Sequence, residues 1–250
     1  MKTFTILAMV LMALLPVEKC FPQPVTIGAE DGVGLWGSKT GGCGNDLVAA
    51  AIKASNFTVQ LAIVPYNRAK ALALEGTYAG CFSMIREKEL EGRIVFSTEP
   101  LYRARAIAIQ QRSKERIAAD LSGLRRGTTI GITRGYEYDF SIADLKGKGI
   151  IVVETNSEEN SLQMLNVGRL DVAFVYVDEL KSLASILKNT SINPKSVVVA
   201  FEQSATEVFV GFSLANPHGL VAKQKFDLGF SLIKKNGRYE SILQKWKQKA

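Results

Sequence analysis

At 250 residues, 47% of them hydrophobic and 22% charged, the chain has room for one or two domains with a substantial core and is not a disordered polymer. Its formal net charge is +7, but the basic residues are dispersed. The densest run, Lys245, Lys247 and Lys249, has the spacing of a solvated helix face, which argues against a nucleic-acid partner.

The chain opens with Lys2 and then an apolar run over residues 4–15 that ends at Pro16. That run is too short to span a bilayer and has the charged-then-apolar order of a secretory signal. Residues 1–24 are therefore read as a signal peptide without a clean small-x-small cleavage site. A lipid anchor at Cys20 is disfavoured by Glu18 and Lys19, which stand where a lipoprotein signal carries small or apolar residues. The expected location of the mature chain is the periplasm. In such an oxidising compartment Cys43 and Cys81 form an even pair, expected to be a disulfide. The single histidine, His218, argues against a catalytic cysteine, and no cluster is spaced to bind a metal. No cofactor is implied.

The apolar patterning then predicts elements in order. A strand over 25–29 leads to a helix over 45–54, opened by Gly44-Asn45-Asp46 as capping chemistry. A β-branched strand over 58–64, a helix over 67–75 ended by Gly76, and a strand over 78–84 follow. This βαβαβ order implies a parallel sheet with helices on its faces. After an extended stretch at 101–110, a second α/β unit repeats the plan. Its strands are expected at 128–132, 150–154, 170–177 and 197–201, and its helices at 137–145, 157–167 and 178–188. A second extended stretch at 208–214 precedes two helices over 219–235 and 239–247. Two similar α/β units, with extended stretches that cross between them, place a ligand in the cleft, at strand ends and helix N-termini.

Several short segments, in this order and spacing, resemble one family. They are Gly44-Asn45-Asp46-Leu47-Val48, Val64-Pro65-Tyr66-Asn67-Arg68-Ala69, Arg93-Ile94-Val95-Phe96-Ser97-Thr98-Glu99-Pro100-Leu101-Tyr102, Gly131-Ile132-Thr133-Arg134-Gly135-Tyr136 and Gly168-Arg169-Leu170-Asp171-Val172-Ala173. The chain resembles the family 3 extracellular solute-binding proteins, over nearly all of residues 25–246. The resemblance implies a two-lobed, type II periplasmic binding fold that captures a small polar ligand, an amino acid or related carboxylate, for the permease of an ABC importer. It implies a monomer without enzymatic activity. Lobe one would comprise 25–105 plus 212–250, and lobe two 106–211. The fold has also been adapted to dehydratase-like enzymes and to free-standing sensors, which stay open as alternatives.

The resemblance also implies site residues. An arginine after the third strand would read a ligand carboxylate through its planar fork, and Arg86 and Arg93 compete for that place, Arg86 directly following the strand. Arg68 and Tyr66, at a strand end and helix start, would face the cleft. In the loop after the first strand, Trp36 could cover the ligand and Glu30 could pair with an ammonium. In lobe two, Thr133, Arg134, Gly135 and Tyr136 lie between a strand and a helix, where backbone N–H groups favour an anion. Asn156 and Ser157 open the next helix in the same way, although a plain cap serves for Ser157 alone. Tyr176 stands near the place where amino-acid binders of the family carry an aspartate for the α-ammonium, and Asp178 comes later.

Overall fold

The computed structural model describes residues 25–30 and 35–249. The expected signal peptide and Cys20 lie outside the described residues. The first unit runs β1 (Thr26–Glu30), α1 (Cys43–Ala54), β2 (Gln60–Val64), α2 (Tyr66–Leu74), β3 (Gly80–Met84) and a short β4 (Ile94–Phe96). The chain then enters β5 (Tyr102–Gln111) and builds the second unit. This comprises β6 (Thr129–Thr133), α3 (Ile142–Gly147), β7 (Ile151–Thr155), α4 (Glu158–Asn166), β8 (Val172–Asp178), α5 (Leu183–Thr190) and β9 (Val197–Glu202). It returns through β10 (Thr206–Ser213) and ends in α6 (Gly219–Lys235) and α7 (Arg238–Lys247).

The strands order as β2-β1-β3-β10-β5-β8-β6-β7, with β4 added on β10 and β9 on β5. Within each unit the βαβ crossovers make parallel pairs, β2-β1-β3 and β8-β6-β7. β5 and β10 are the two connections between units. The first residues of β10, Thr206–Val208, pair antiparallel with β5 at Tyr102–Ala104. Its remainder pairs with β3 and β4 of the first lobe, while the remainder of β5 pairs with β8 and β9 of the second. The result is two α/β lobes joined by two extended segments side by side.

The helices α6 and α7 return to lobe one, as the pattern predicts. α1 lays Leu47, Val48, Ala51 and Ile52 into the core beside α6, whose Phe226 and Phe230 are equally buried. The helices approach so closely that a Cβ at Gly229 would lie 1.7 Å from the Ala51 carbonyl oxygen, so no larger residue fits there. Burying such a face accounts for most of each helix's stability.

Three expectations shift. β4 is too short to stand out by alternation. The helix expected at 137–145 begins only at Ile142, capped by Ser141, and the one expected at 178–188 begins at Leu183, capped by Ser182. In both cases the hydroxyl cap sets the start, and the residues before it form a loop that turns inward.

The expected disulfide is corrected. Cys43 and Cys81 are both free and both buried. Side chains alternate across a strand, so Phe82 and Cys81 face opposite sides of β3. Phe82 lies against Gly44, and hence on the α1 side, where a Cβ at Gly44 would meet its ring at 2.9 Å. Cys81 packs on the other face among Tyr66, Ala69 and Met84, with its thiol toward the Phe82 carbonyl oxygen at 3.3 Å. The sheet itself separates the two sulfurs.

Candidate functional site

Where the lobes meet there is a cavity of about 40 Å³. Its wall takes Glu30, Tyr66, Ser83, Tyr102 and Val208 from lobe one and the crossing strands, and Tyr136, Glu137, Tyr176, Asp178 and Lys181 from lobe two. A wider cleft of about 480 Å³ adjoins it and shares Glu30, Tyr66 and Tyr136. The outer cleft is lined further by Asn67, Thr133, Arg134, Asn156 and Ser157.

Each position follows from the local fold. Glu30 is the last residue of β1 and Tyr66 the first of α2, at the carboxyl edge of the parallel strands. Lys70 stands one turn after Tyr66 on the same helix face. In lobe two, Tyr136 and Glu137 follow β6, Asp178 ends β8, and Glu158 opens α4. Ser83 bulges from β3 with φ +69°, where the pairing with β10 slips between Phe209 and Val210. A non-glycine residue there stores strain, which concentrates at functional sites. Its hydroxyl accepts a 3.2 Å hydrogen bond from Tyr102.

Hydrogen bonds cross from lobe to lobe. The Tyr136 hydroxyl donates to Glu30 Oε1 at 2.7 Å. The Tyr66 hydroxyl donates to Glu137 Oε1, which also meets Lys70 Nζ at 2.7 Å. Gly135, at φ +82°, lies against Asn67 of α2. Within lobe two, Lys181 Nζ donates to Glu158 Oε2, while Glu158 Oε1 accepts from the Tyr176 backbone N–H at 2.7 Å. The Tyr176 hydroxyl donates to the Glu137 carbonyl oxygen, also at 2.7 Å.

Burial governs the electrostatics. Glu30 is only 5% exposed, and loss of water pushes its carboxyl up to about 8, against the opposing pull of the Tyr136 hydroxyl and Lys181. Glu137, for the same reason, is pushed up to about 7, with Lys70 and Tyr66 opposing. Asp178 is also raised by burial, opposed by the Trp36 indole beside it and by the Leu180 and Lys181 N–H groups. Lys181 is raised: Glu158 and its other acidic neighbours outweigh the desolvation that would lower it.

The sequence-derived candidates divide. Glu30, Tyr66, Thr133, Arg134, Tyr136, Asn156, Ser157 and Tyr176 come together in the cavity and its outer cleft. Gly135 stands at the lobe contact. Trp36 is fully buried and stacks on Tyr102 at 3.8 Å, behind the cavity rather than in its wall. Arg86 is exposed and lies 4.2 Å over the Phe209 ring; it lines neither the inner cavity nor the outer cleft, but an adjoining space whose far wall includes Tyr136 and Tyr138 of lobe two. Arg68 is exposed on α2, and Arg93 is exposed before β4. Asp171 holds a strand end, accepting from the Thr129 N–H at 2.9 Å and from Lys114 at 3.0 Å. The sequence reading missed Lys70, Glu137, Glu158 and Lys181. Lys70 carried a signal, one turn beyond Tyr66; an acid in the first turn of α4 looks like a partner for the helix dipole alone.

A curled mixed sheet, two lobes on two crossing strands and a cleft between them define the type II periplasmic binding protein-like fold. No protein-family model matches the chain. It is similar to "Putative ABC transporter arginine-binding protein 2" of Escherichia coli K12, 29% identical over 163 residues, 64% of this chain and 62% of that one. The chain thus aligns with less than two thirds of that relative's length. Among solved structures it is similar to a histidine kinase sensor domain with similarity to periplasmic binding proteins. The TM-score is 0.75 at 17% identity, over 90% of this chain and 96% of that one. It is also similar to an ancestral arginine-binding protein bound to arginine, with TM-score 0.71 at 21% identity, over 89% and 97%. The resemblance to solute-binding proteins read from the sequence is upheld, and the relative carries the name of a binding protein, not of an enzyme.

Proposed function

We propose that the chain is an extracytoplasmic solute-binding protein that closes two lobes around a small polar ligand and hands it to the permease of an ABC importer. Lobe one comprises 25–105 and 212–250, lobe two 106–211, and the molecule acts as a monomer in the periplasm without catalysing a reaction. The ligand contacts are Glu30, Tyr66, Thr133, Tyr136 and Tyr176, with Arg134 and Asn156 at the outer cleft.

One observation carries the reading: the cavity is walled by both lobes, and the groups that close it, Tyr136 on Glu30 and Tyr66 on Glu137, reach across between them. A ligand that touches both walls binds the closed form better than the open one. That differential affinity shifts the hinge equilibrium.

The test is a thermal-shift screen of the mature chain, refolded to strip bound solute, against amino acids, polyamines, small carboxylates and short sugars. A ligand specific for the native state stabilises it by about 2.7 kcal/mol at a hundredfold excess over Kd. A rise with one class, together with a smaller radius of gyration by small-angle scattering, is the expected result. No rise with any class overturns the proposal.

A further inference from the structure

The composition of the cavity wall narrows the ligand, on the footing of the binding reading above. The wall carries three carboxyls, Glu30, Glu137 and Asp178, and four tyrosine rings, Tyr66, Tyr102, Tyr136 and Tyr176. Lys181 is its one base among the described residues, and it is already paired with Glu158. Lys70, behind the wall, is shared between Glu137 and Glu87.

A carboxylate is normally read by an unpaired arginine fork. Arg86 is stacked on Phe209, and Arg134 turns to Glu154 at 3.6 Å with its side chain 57% exposed. An anion in the cavity would face the carboxyls of Glu30 and Asp178, and the one base there, Lys181, already has Glu158 as its counter-ion. A cation meets the opposite situation. Among the described residues Glu30 accepts only on Oε1, from Tyr136, and Asp178 takes both of its backbone N–H bonds on Oδ1, with the Trp36 indole beside it. The tyrosine faces add attraction for a desolvated cation.

We infer that the cavity takes an organic cation, an alkylammonium or guanidinium, that carries no carboxylate of its own. In the ligand-free form the Tyr136 hydroxyl holds the place of the cation on Glu30. At about 40 Å³ the cavity admits only a few waters. Tyr136 lines both it and the outer cleft, so swinging its ring off Glu30 joins the two spaces.

The test is titration calorimetry of the stripped mature chain with two pairs of probes that differ only by the carboxylate: agmatine against arginine, and cadaverine against lysine. In at least one pair the amine should bind tenfold or more tighter than its amino acid. Glu30→Gln, which keeps an acceptor for Tyr136, should weaken the amine tenfold or more, and Asp178→Asn should act in the same direction. Arg169→Ala, exposed and away from the cavity and the clefts beside it, should leave amine binding unchanged. Retained cooperative unfolding of each variant separates lost binding from lost fold. Tighter binding of both amino acids than of their amines overturns the inference while leaving the solute-binding reading in place. Heat from none of the four probes also overturns it, and the broader thermal-shift screen then decides the solute-binding reading separately.

Discussion

Tyr136 of lobe two donates its phenolic hydrogen to Glu30 of lobe one across 2.7 Å, at the point where the cavity meets the outer cleft. The bond ties the lobes without a ligand, and it shields a carboxyl that has lost nearly all its water. Tyr136→Phe removes the donor and leaves Glu30 buried without it, at a cost of about 1–3 kcal/mol to the closed form. The open form exposes Glu30 to water and does not bear that cost. Small-angle scattering of the ligand-free variant should give a larger radius of gyration than the parent. Identical profiles would mean that the bond does not hold the lobes together.

The same burial makes stability depend on pH. Glu30 is pushed up to about 8 and Glu137 to about 7, whereas an unfolded glutamate titrates near 4.3. Between those values the folded chain keeps protons that the unfolded chain has released, so unfolding free energy falls as pH rises. Around Glu30 the Tyr136 hydroxyl and Lys181 favour the carboxylate, while Glu158 and Glu137 oppose it. Around Glu137, Lys70 and Tyr66 favour it, and Glu87 opposes it. The lysines Lys70 and Lys181 are raised, so their contribution is lost only in alkali, above this window. The ligand-free Tm should drop by several degrees from pH 5.5 to pH 8.5, and Glu30→Gln should flatten the drop. A Tm that climbs over this range would contradict the assignment.

The architecture was legible because each of its elements buries a face with its own period. α1 shows Leu47, Val48, Ala51 and Ile52 on one side, and β8 is a continuous apolar run between two neighbours. The cleft was legible in part. Glu30, Tyr66 and Tyr136 sit at strand ends, where the fold directs a ligand. The ion pairs behind them were not. Glu137 and Lys181 are buried because Ser141 and Ser182 delay α3 and α5 and let the preceding loops fold inward, and Glu158 because it opens α4 facing Lys181; nothing local distinguishes such a glutamate from a solvated one. Arg86 stays out of the inner cavity for a similar reason. Its guanidinium finds the rings of Phe209 and Phe96, residues distant in sequence or on the next strand.

The two buried thiols give a direct chemical check. Cys43 is raised to about 12 and Cys81 well above the usual thiol range, both chiefly by burial, so neither presents a thiolate at neutral pH. Two thiols should become reactive toward a disulfide reagent on unfolding and stay inert in the native chain. Dithiothreitol should leave Tm unchanged. A disulfide closing a loop of this length would contribute roughly 3–5 kcal/mol in the chain-entropy model, so a clear loss of Tm on reduction would restore the bond.

Gly135 separates closure from folding. Its φ of +82° disfavours any L-residue in both open and closed forms, whereas the contact with Asn67 exists only when the lobes meet. A Cβ there would stand 2.8 Å from the Asn67 Cβ, a distance that side-chain rotation does not relieve. Gly135→Ala should therefore cost about 1 kcal/mol of overall stability from the backbone conformation. It should also weaken ligand binding further, by about tenfold, because the closed form alone meets the contact. Asn67→Gly in the Gly135→Ala background removes the opposing Cβ without touching φ. Binding should then return toward the parent while the loss of stability from φ remains. If Asn67→Gly restores no affinity, the effect of Gly135→Ala lies in the loop itself, and the approach of the lobes at this point does not limit closure.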